Sequence, residues 1–227
     1  MAKNTLIIAA GGVGKRTGLD IPKQFYMLSD IPVIIRTIRV FENMDDITDI
    51  IITCHKDYVE YTKNMMKEYG IDKVKCVTEG GDTRRQSVYN ALKNVSDDTD
   101  YVLIHDAARP FINEDSIRRC ILDAESTGCA AVGKRVVDTL KRTDGAGFIT
   151  DTVDRDNLWQ IQTPQIFKKD IICDCHQRCI NDCFEATDDC MICERYGYSI
   201  KITESSCNNI KITDKSDIQL AEAILNV

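Results

Sequence analysis

Lys15, Arg16 and Lys23 place three cations around the glycine-dense turn Gly11-Gly12-Val13-Gly14, which ends the apolar run from Leu6 to Ala10. Glycines let a backbone approach a ligand closely and point several N–H groups into one concavity. Arg adds a forked donor and Lys a compact charge, so the expected occupant is a phosphate. A purely structural turn and a dinucleotide loop are the alternatives at this point. The P-loop pattern is absent, and the dinucleotide fingerprint is incomplete because Thr17 stands where its third glycine belongs. Pro22 also argues for an extended loop rather than an immediate helix.

Further chemistry-bearing stretches follow apolar runs. Gly80-Gly81-Asp82-Thr83-Arg84-Arg85-Gln86-Ser87-Val88 offers paired glycines to a flat base, with Asp82 and Ser87 able to bond its polar edge. The plainer reading is a strand–helix turn capped by Asp82. In His105-Asp106-Ala107-Ala108-Arg109-Pro110 a carboxylate suited to Mg²⁺ stands three residues before a guanidinium that can clamp an anion. A structural Asp–Arg pair is the alternative there, and His105 is given no role. The stretch Asp154–Gln165 holds the single Trp and one of four prolines, and Asn209-Ile210-Lys211-Ile212-Thr213 adds another cation.

These turns need a scaffold. Short apolar runs alternate with longer amphipathic ones, the pattern of a mostly parallel sheet flanked by helices in an α/β, Rossmann-like fold. Strands are expected near 4–9, 48–54, 73–77, 101–105 and 129–134. Helices are expected near 33–42, 56–69, 83–94, 114–126, 168–182, 187–196 and 214–226, the last capped by Asp214. In such sheets ligands bind beyond the carboxyl ends of the strands, where these turns fall. Asp144-Gly145 between β-leaning segments predicts a hairpin. Lacking an apolar face of its own, that arm, about 136–158, calls for a partner surface and hence a homodimer. No repeat or linker interrupts residues 1–227, so one domain with an arm is expected.

The net charge of −7 disfavours nucleic acid as a partner. No stretch has the length of a membrane span or the layout of a signal peptide, so a cytoplasmic protein is expected. Eleven cysteines are present, six of them between Cys173 and Cys193. Cys190-x-x-Cys193 is the single knuckle-like gap among those six. Cys175, Cys179 and Cys183 recur at helical spacing, and reduced core thiols are favoured over a metal site.

In order, these motifs make the chain resemble the 2-C-methyl-D-erythritol 4-phosphate cytidylyltransferase family along essentially its whole length. The carrying residues are Ala10 through Arg16 with Pro22-Lys23-Gln24, Gly80-Gly81 through Ser87-Val88, and His105 through Pro110. Asp138-Thr139-Leu140-Lys141, Arg155 through Trp159, Gln162 through Gln165, Thr187-Asp188-Asp189 and Asn209 through Thr213 complete them. The resemblance implies a Rossmann-like nucleotidyltransferase, dimeric through exchanged arms, that joins CTP to a sugar-alcohol phosphate. It implies that Lys15, Arg16 and Lys23 hold the triphosphate, with Gly81, Asp82 and Ser87 on the cytosine and ribose side, and that Ala10, Gly11, Gly12, Gly14 and Ala107 also bind substrate. Asp106 would bind Mg²⁺. Arg109, Lys211, Thr163 and Thr187 would line the sugar-phosphate, and Thr139 and Arg155 would close over the acceptor phosphate from the partner's arm. By the same likeness Arg16, Lys23, Arg155 and Lys211 are the catalytic cations. Lys134-Arg135 stands where the family usually has an apolar-Pro lead, which bears on the acceptor. A sister family acting on ribitol 5-phosphate and a non-catalytic nucleotide binder on the same scaffold are the competing readings.

Overall fold

Strict alternation along each strand sends successive isoleucines, leucines and valines to opposite faces of one sheet. The computed structural model describes residues 2–12 and 21–226. Strands β1 (Asn4–Ala10), β4 (Ile47–Cys54), β5 (Val74–Glu79), β6 (Tyr101–Asp106), β7 (Cys129–Arg135), β10 (Trp159–Lys168) and β11 (Lys201–Glu204) form it, in the order β11-β7-β10-β6-β1-β4-β5. Two small antiparallel pairs stand apart: β2 (Met27–Leu28) with β3 (Ile31–Pro32), and β8 (Leu140–Thr143) with β9 (Ile149–Val153).

Leu6, Ile8, Ile50, Ile52 and Leu103 pack on one face against α1 (Val33–Glu42), α2 (Val59–Glu68) and α4 (Glu114–Thr127). Ile7, Ile51, Val102 and Ile104 pack on the other against α3 (Arg84–Leu92), α5 (Lys169–Asn181) and α6 (Asp189–Arg195). Each fully buried Ile or Leu contributes roughly 1.5–3 kcal/mol, so two apolar layers hold the sheet rigid beneath its loops. Helix α7 (Lys215–Leu225) closes a third, smaller cluster with Ile212 and Leu28. Its first turn is a capping box between Asp214 and Asp217.

The alternation predicted five strands and seven helices, all present. It does not reveal the short β2–β3 pair or, in the large sheet, β10 and β11. β10 lies centrally and runs antiparallel to both β6 and β7. Its residues read as loop because Pro164 cannot donate to a ladder. The strand accommodates Pro164 at a register shift between Ile161 and Gln165, so pairing resumes on either side. β11 is a four-residue edge strand, too short for periodicity to reveal. The expected hairpin is present as β8 and β9, and Val137, Phe148 and Ile149 in that segment are 70%, 73% and 64% exposed.

Helix α5 corrects the cysteine reading in part. Cys175 and Cys179 are buried on its inner face, but the helix ends before Cys183, which is exposed. All eleven cysteines are free thiols. Burial pushes the Cys120 thiol up to about 12 and Cys190 higher still, so both behave as neutral core groups. No described helix is long and apolar enough to cross a membrane.

Candidate active site

Strands β4 and β5 lie to one side of β1 and β6 to the other, so the chain reverses its winding between β1 and β6. The carboxyl ends of those two strands diverge there and leave a crevice. It is a cleft of about 370 Å³, bounded by the turn after β1, the turn before α3, the end of β6 and Lys211. Ala10, Gly11, Gly12, Lys23, Gly81, Asp82, Ser87, Asp106, Ala107 and Lys211 of the expected site all line it. Gly14, Lys15 and Arg16 lie outside the described residues.

Local bonds explain how these turns hold their shape. Gln24 is buried and donates from its amide to Ala10 O at 2.7 Å, tying the Lys23 turn to the end of β1. Thr83, not Asp82, caps α3 by accepting from Gln86 N at 3.1 Å, which leaves Asp82 exposed at the cleft wall. The Ser87 hydroxyl accepts from Gly81 N at 3.0 Å and donates to Thr83 O at 2.9 Å. Its first duty is to shape the glycine turn. A Cβ on Gly80 would stand 2.8 Å from Ser87 Oγ and 3.2 Å from Cys54 O, a backbone atom that cannot swing away. Gly80→Ala is therefore expected to cost about 1–3 kcal/mol and to raise the KM for nucleotide, measured by thermal melting and steady-state kinetics.

Asp106 is the centre of charge. Lys211 Nζ lies 2.8 Å and Arg109 Nε 3.4 Å from Oδ2, and Arg84 Nε lies 3.7 Å from Oδ1. Burial alone would raise this carboxyl, but Lys211, Arg84 and Arg109 together hold it well below the usual carboxylate range. Ile212 N bonds Ala108 O at 2.9 Å, and Arg109 Nη1 donates to Asn209 O at 2.8 Å, so the Lys211 segment is locked beside the Asp106 turn. Thr163 Oγ1 accepts from Asp106 N at 3.1 Å and donates to His105 Nδ1 at 3.0 Å. His105 is thus bonded at both ring nitrogens, the other facing Arg109 O at 3.2 Å. Burial lowers its pKa to about 4, and it stays neutral.

A second recess, about 280 Å³, adjoins the first across Lys211 and is lined by Arg109, Lys134 and Gln160 among others. Thr187 lines neither recess; it is exposed, with its hydroxyl on Met191 Sδ at 3.6 Å. Thr139 and Arg155 stand on or beside the exposed arm, where Arg155 bonds Val137 O. The residues missed in sequence are Arg84, Asp189, His176 and Gln24. Arg84 lay inside a quoted motif as one of two adjacent arginines, and spacing alone does not tell which faces the cleft.

Asp189 is wholly buried and accepts from Arg84 Nη1 at 2.6 Å and His176 Nε2 at 3.0 Å. Burial opposes its charge, but Arg84 and His176 hold its pKa below the ordinary value. A carboxylate with a depressed folded pKa contributes stability that is complete above about 3.9, its unfolded value. That contribution drains as pH falls further, through the folded value. Asp106 and Asp189 both have this sign, so guanidinium unfolding at pH 3 should show lower stability than at pH 7. Asp189→Asn should flatten part of that dependence.

Among the described residues, no group of three or more His, Cys, Asp or Glu is placed to share a metal ion. A single carboxylate still fits Mg²⁺, which completes its shell with phosphate oxygens and water. Asp106 Oδ1 suits this role, since its cation neighbour Arg84 stands beyond hydrogen-bond range.

Comparison with known proteins agrees with this geometry. Residues 4–227 match the family model of 2-C-methyl-D-erythritol 4-phosphate cytidylyltransferase. The chain is 44% identical to the enzyme of that name from Alkaliphilus oremlandii, over 99% of this chain and 96% of the relative. It is 42% identical to that from Clostridium novyi, over 99% and 97%. The crystal structure of 4-diphosphocytidyl-2C-methyl-D-erythritol synthase from Anaerococcus prevotii superposes with a TM-score of 0.87 at 27% identity, covering 100% of this chain and 97% of that one. A cytidylyltransferase structure from Thermus thermophilus gives 0.79 at 28%, with complete coverage of both. On this match over nearly the whole chain, the chain belongs to the 2-C-methyl-D-erythritol 4-phosphate cytidylyltransferase family.

Proposed function

We propose that the protein transfers the cytidylyl group of CTP to 2-C-methyl-D-erythritol 4-phosphate, releasing pyrophosphate, in isoprenoid precursor synthesis. The observation that carries this reading is the pair of recesses that meet at Lys211, beside one carboxylate and three cations. The larger recess takes the nucleotide, with its triphosphate along Gly11, Gly12 and Lys23; Lys15 and Arg16 are assigned to it by the family resemblance alone. The smaller takes the acceptor phosphate, against Arg109 and Lys211.

A phosphate oxygen of the acceptor attacks the α-phosphorus of CTP. A new P–O bond forms, the bond from the α-phosphorus to the bridging oxygen breaks, and pyrophosphate leaves with that electron pair. The attacking oxygen is already anionic, so no general base is needed. Repulsion between the anions is the obstacle, about 4 kcal/mol per pair of unit charges at 4 Å near a protein surface. Lys23 and Arg16 offset charge on the departing pyrophosphate, and Lys211 and Arg109 offset it on the attacker. Catalysis is positioning and electrostatic stabilisation. Mg²⁺, held by Asp106, would neutralise phosphate charge further.

The exposed arm supports a homodimer in which Thr139 and Arg155 close over the partner's acceptor. Sedimentation should give twice the chain mass, and Phe148→Asp with Ile149→Asp should give monomers with an acceptor KM raised about tenfold. The free, mostly buried thiols suit the reducing cytoplasm. Pyrophosphate release is to be measured with CTP, Mg²⁺ and each of two acceptors. Turnover with methylerythritol phosphate supports the reading. Preference for ribitol 5-phosphate, or none with either, overturns it.

A further inference from the structure

The buried pair His176–Asp189 has no part in the transfer as described, yet it connects to its centre. Asp189, at the start of α6, is wholly buried, and a buried carboxylate is costly unless each oxygen is satisfied. Oδ2 accepts from Arg84 Nη1 at 2.6 Å and Oδ1 from His176 Nε2 at 3.0 Å. Gln165 on β10 adds to the anchor, its Oε1 accepting from Asp189 N at 3.1 Å. The guanidinium of Arg84 spans from this carboxylate to Asp106, while Arg84 itself lines the cleft. His176 is wholly buried on α5, and Nδ1 has no hydrogen-bond partner. Because Asp189 only accepts, Nε2 is the nitrogen that donates to it.

We propose that His176 and Asp189 are positioning residues for cytidylyl transfer: a buried chain from α5 to β6 that holds the Arg84 guanidinium between Asp189 and Asp106. An arginine side chain has many rotamers, and one anchor near its base does not select among them. Asp189 fixes the far end of the guanidinium, and His176 fixes Asp189. The Nε edge then stays toward Asp106, with the rest of the cation's field directed into the nucleotide recess. Displacement of such a group by about 1 Å can cost up to a hundredfold in rate. Supporting hydrogen bonds of this kind change activity by about 10–100-fold.

The test rests on the proposed transfer reaction and uses two polar replacements. In His176→Gln the side-chain amide reaches the place of Nε2 and keeps the donor to Asp189. In His176→Asn it reaches only the place of Nδ1. His176→Asn should lower kcat about tenfold with the KM for CTP changed less than about threefold, and His176→Gln should restore kcat to within about threefold of the parent. In an Arg84→Ala background, His176→Asn should have less than about a twofold further effect, since its route to the site is gone. Melting curves on all variants separate misfolding from misplacement. An active parent with Asn and Gln variants of equal kcat, or an undiminished Asn effect without Arg84, overturns the positioning role. A parent that releases no pyrophosphate overturns the transfer reading, and this inference with it.

Discussion

Asp106→Asn should lower kcat by about a thousandfold at saturating CTP and acceptor. The amide keeps the size and the backbone bond from Asp106 N to Thr163, so the turn is retained. What is lost is the negative charge on which Lys211, Arg109 and Arg84 converge, at 2.8, 3.4 and 3.7 Å. Without it the three cations repel one another and rearrange, and the ligand suited to Mg²⁺ is gone. Removing one partner of a buried charge cluster can cost about 3–5 kcal/mol in stability. Here the loss should be smaller, because Arg84 keeps Asp189, Arg109 keeps Asn209 O, and Lys211 is partly exposed. The variant should therefore fold. Pyrophosphate release with a melting curve checks both parts, and a folded variant within tenfold of the parent kcat would remove Asp106 from the centre of the account.

Lys23→Ala should lower kcat about a hundredfold while leaving the acceptor KM nearly unchanged. The asymmetry follows from position. Lys23 lines the nucleotide cleft and not the recess shared by Arg109, Lys134 and Lys211. Its neighbours hold the turn without it: Gln24 bonds Ala10 O, and Phe25 is buried with its ring 5.1 Å from those of Tyr58 and Tyr61. The substitution thus removes one charge from beside the departing pyrophosphate while Gln24 and Phe25 keep their own contacts. A charge that acts mainly as the leaving group develops is felt in kcat. Unchanged turnover would deny Lys23 that role.

Much of this architecture was legible because parallel strands buried on both faces read as uninterrupted apolar runs. Leu6-Ile7-Ile8 and Ile50-Ile51-Ile52 announce β1 and β4, and the residues that follow such runs fall at the ligand end of the sheet. Strand β10 was not legible, since Pro164 and the polar residues Gln162, Thr163 and Gln165 look like a loop. Their polarity has a local cause, for Thr163 and Gln165 spend their bonds inside the molecule, on His105, Asp106, Asp188 and Asp189. Arg84 and Asp189 are separated by 105 residues and meet only when α3 and α6 pack on the same face of the sheet. No spacing rule connects them. Thr187 illustrates the reverse: its place in the Thr187-Asp188-Asp189 motif drew attention to a hydroxyl that faces away, while Asp189 two residues on turns inward.

The decisive experiment is a crystal structure with CTP and Mg²⁺ bound. It should show the triphosphate along the backbone of Gly11 and Gly12 with Lys23 beside it, the metal on Asp106, and the α-phosphate facing Lys211. A triphosphate seated away from the β1–β6 crevice, with Asp106 still closed within its own cations, would contradict that arrangement.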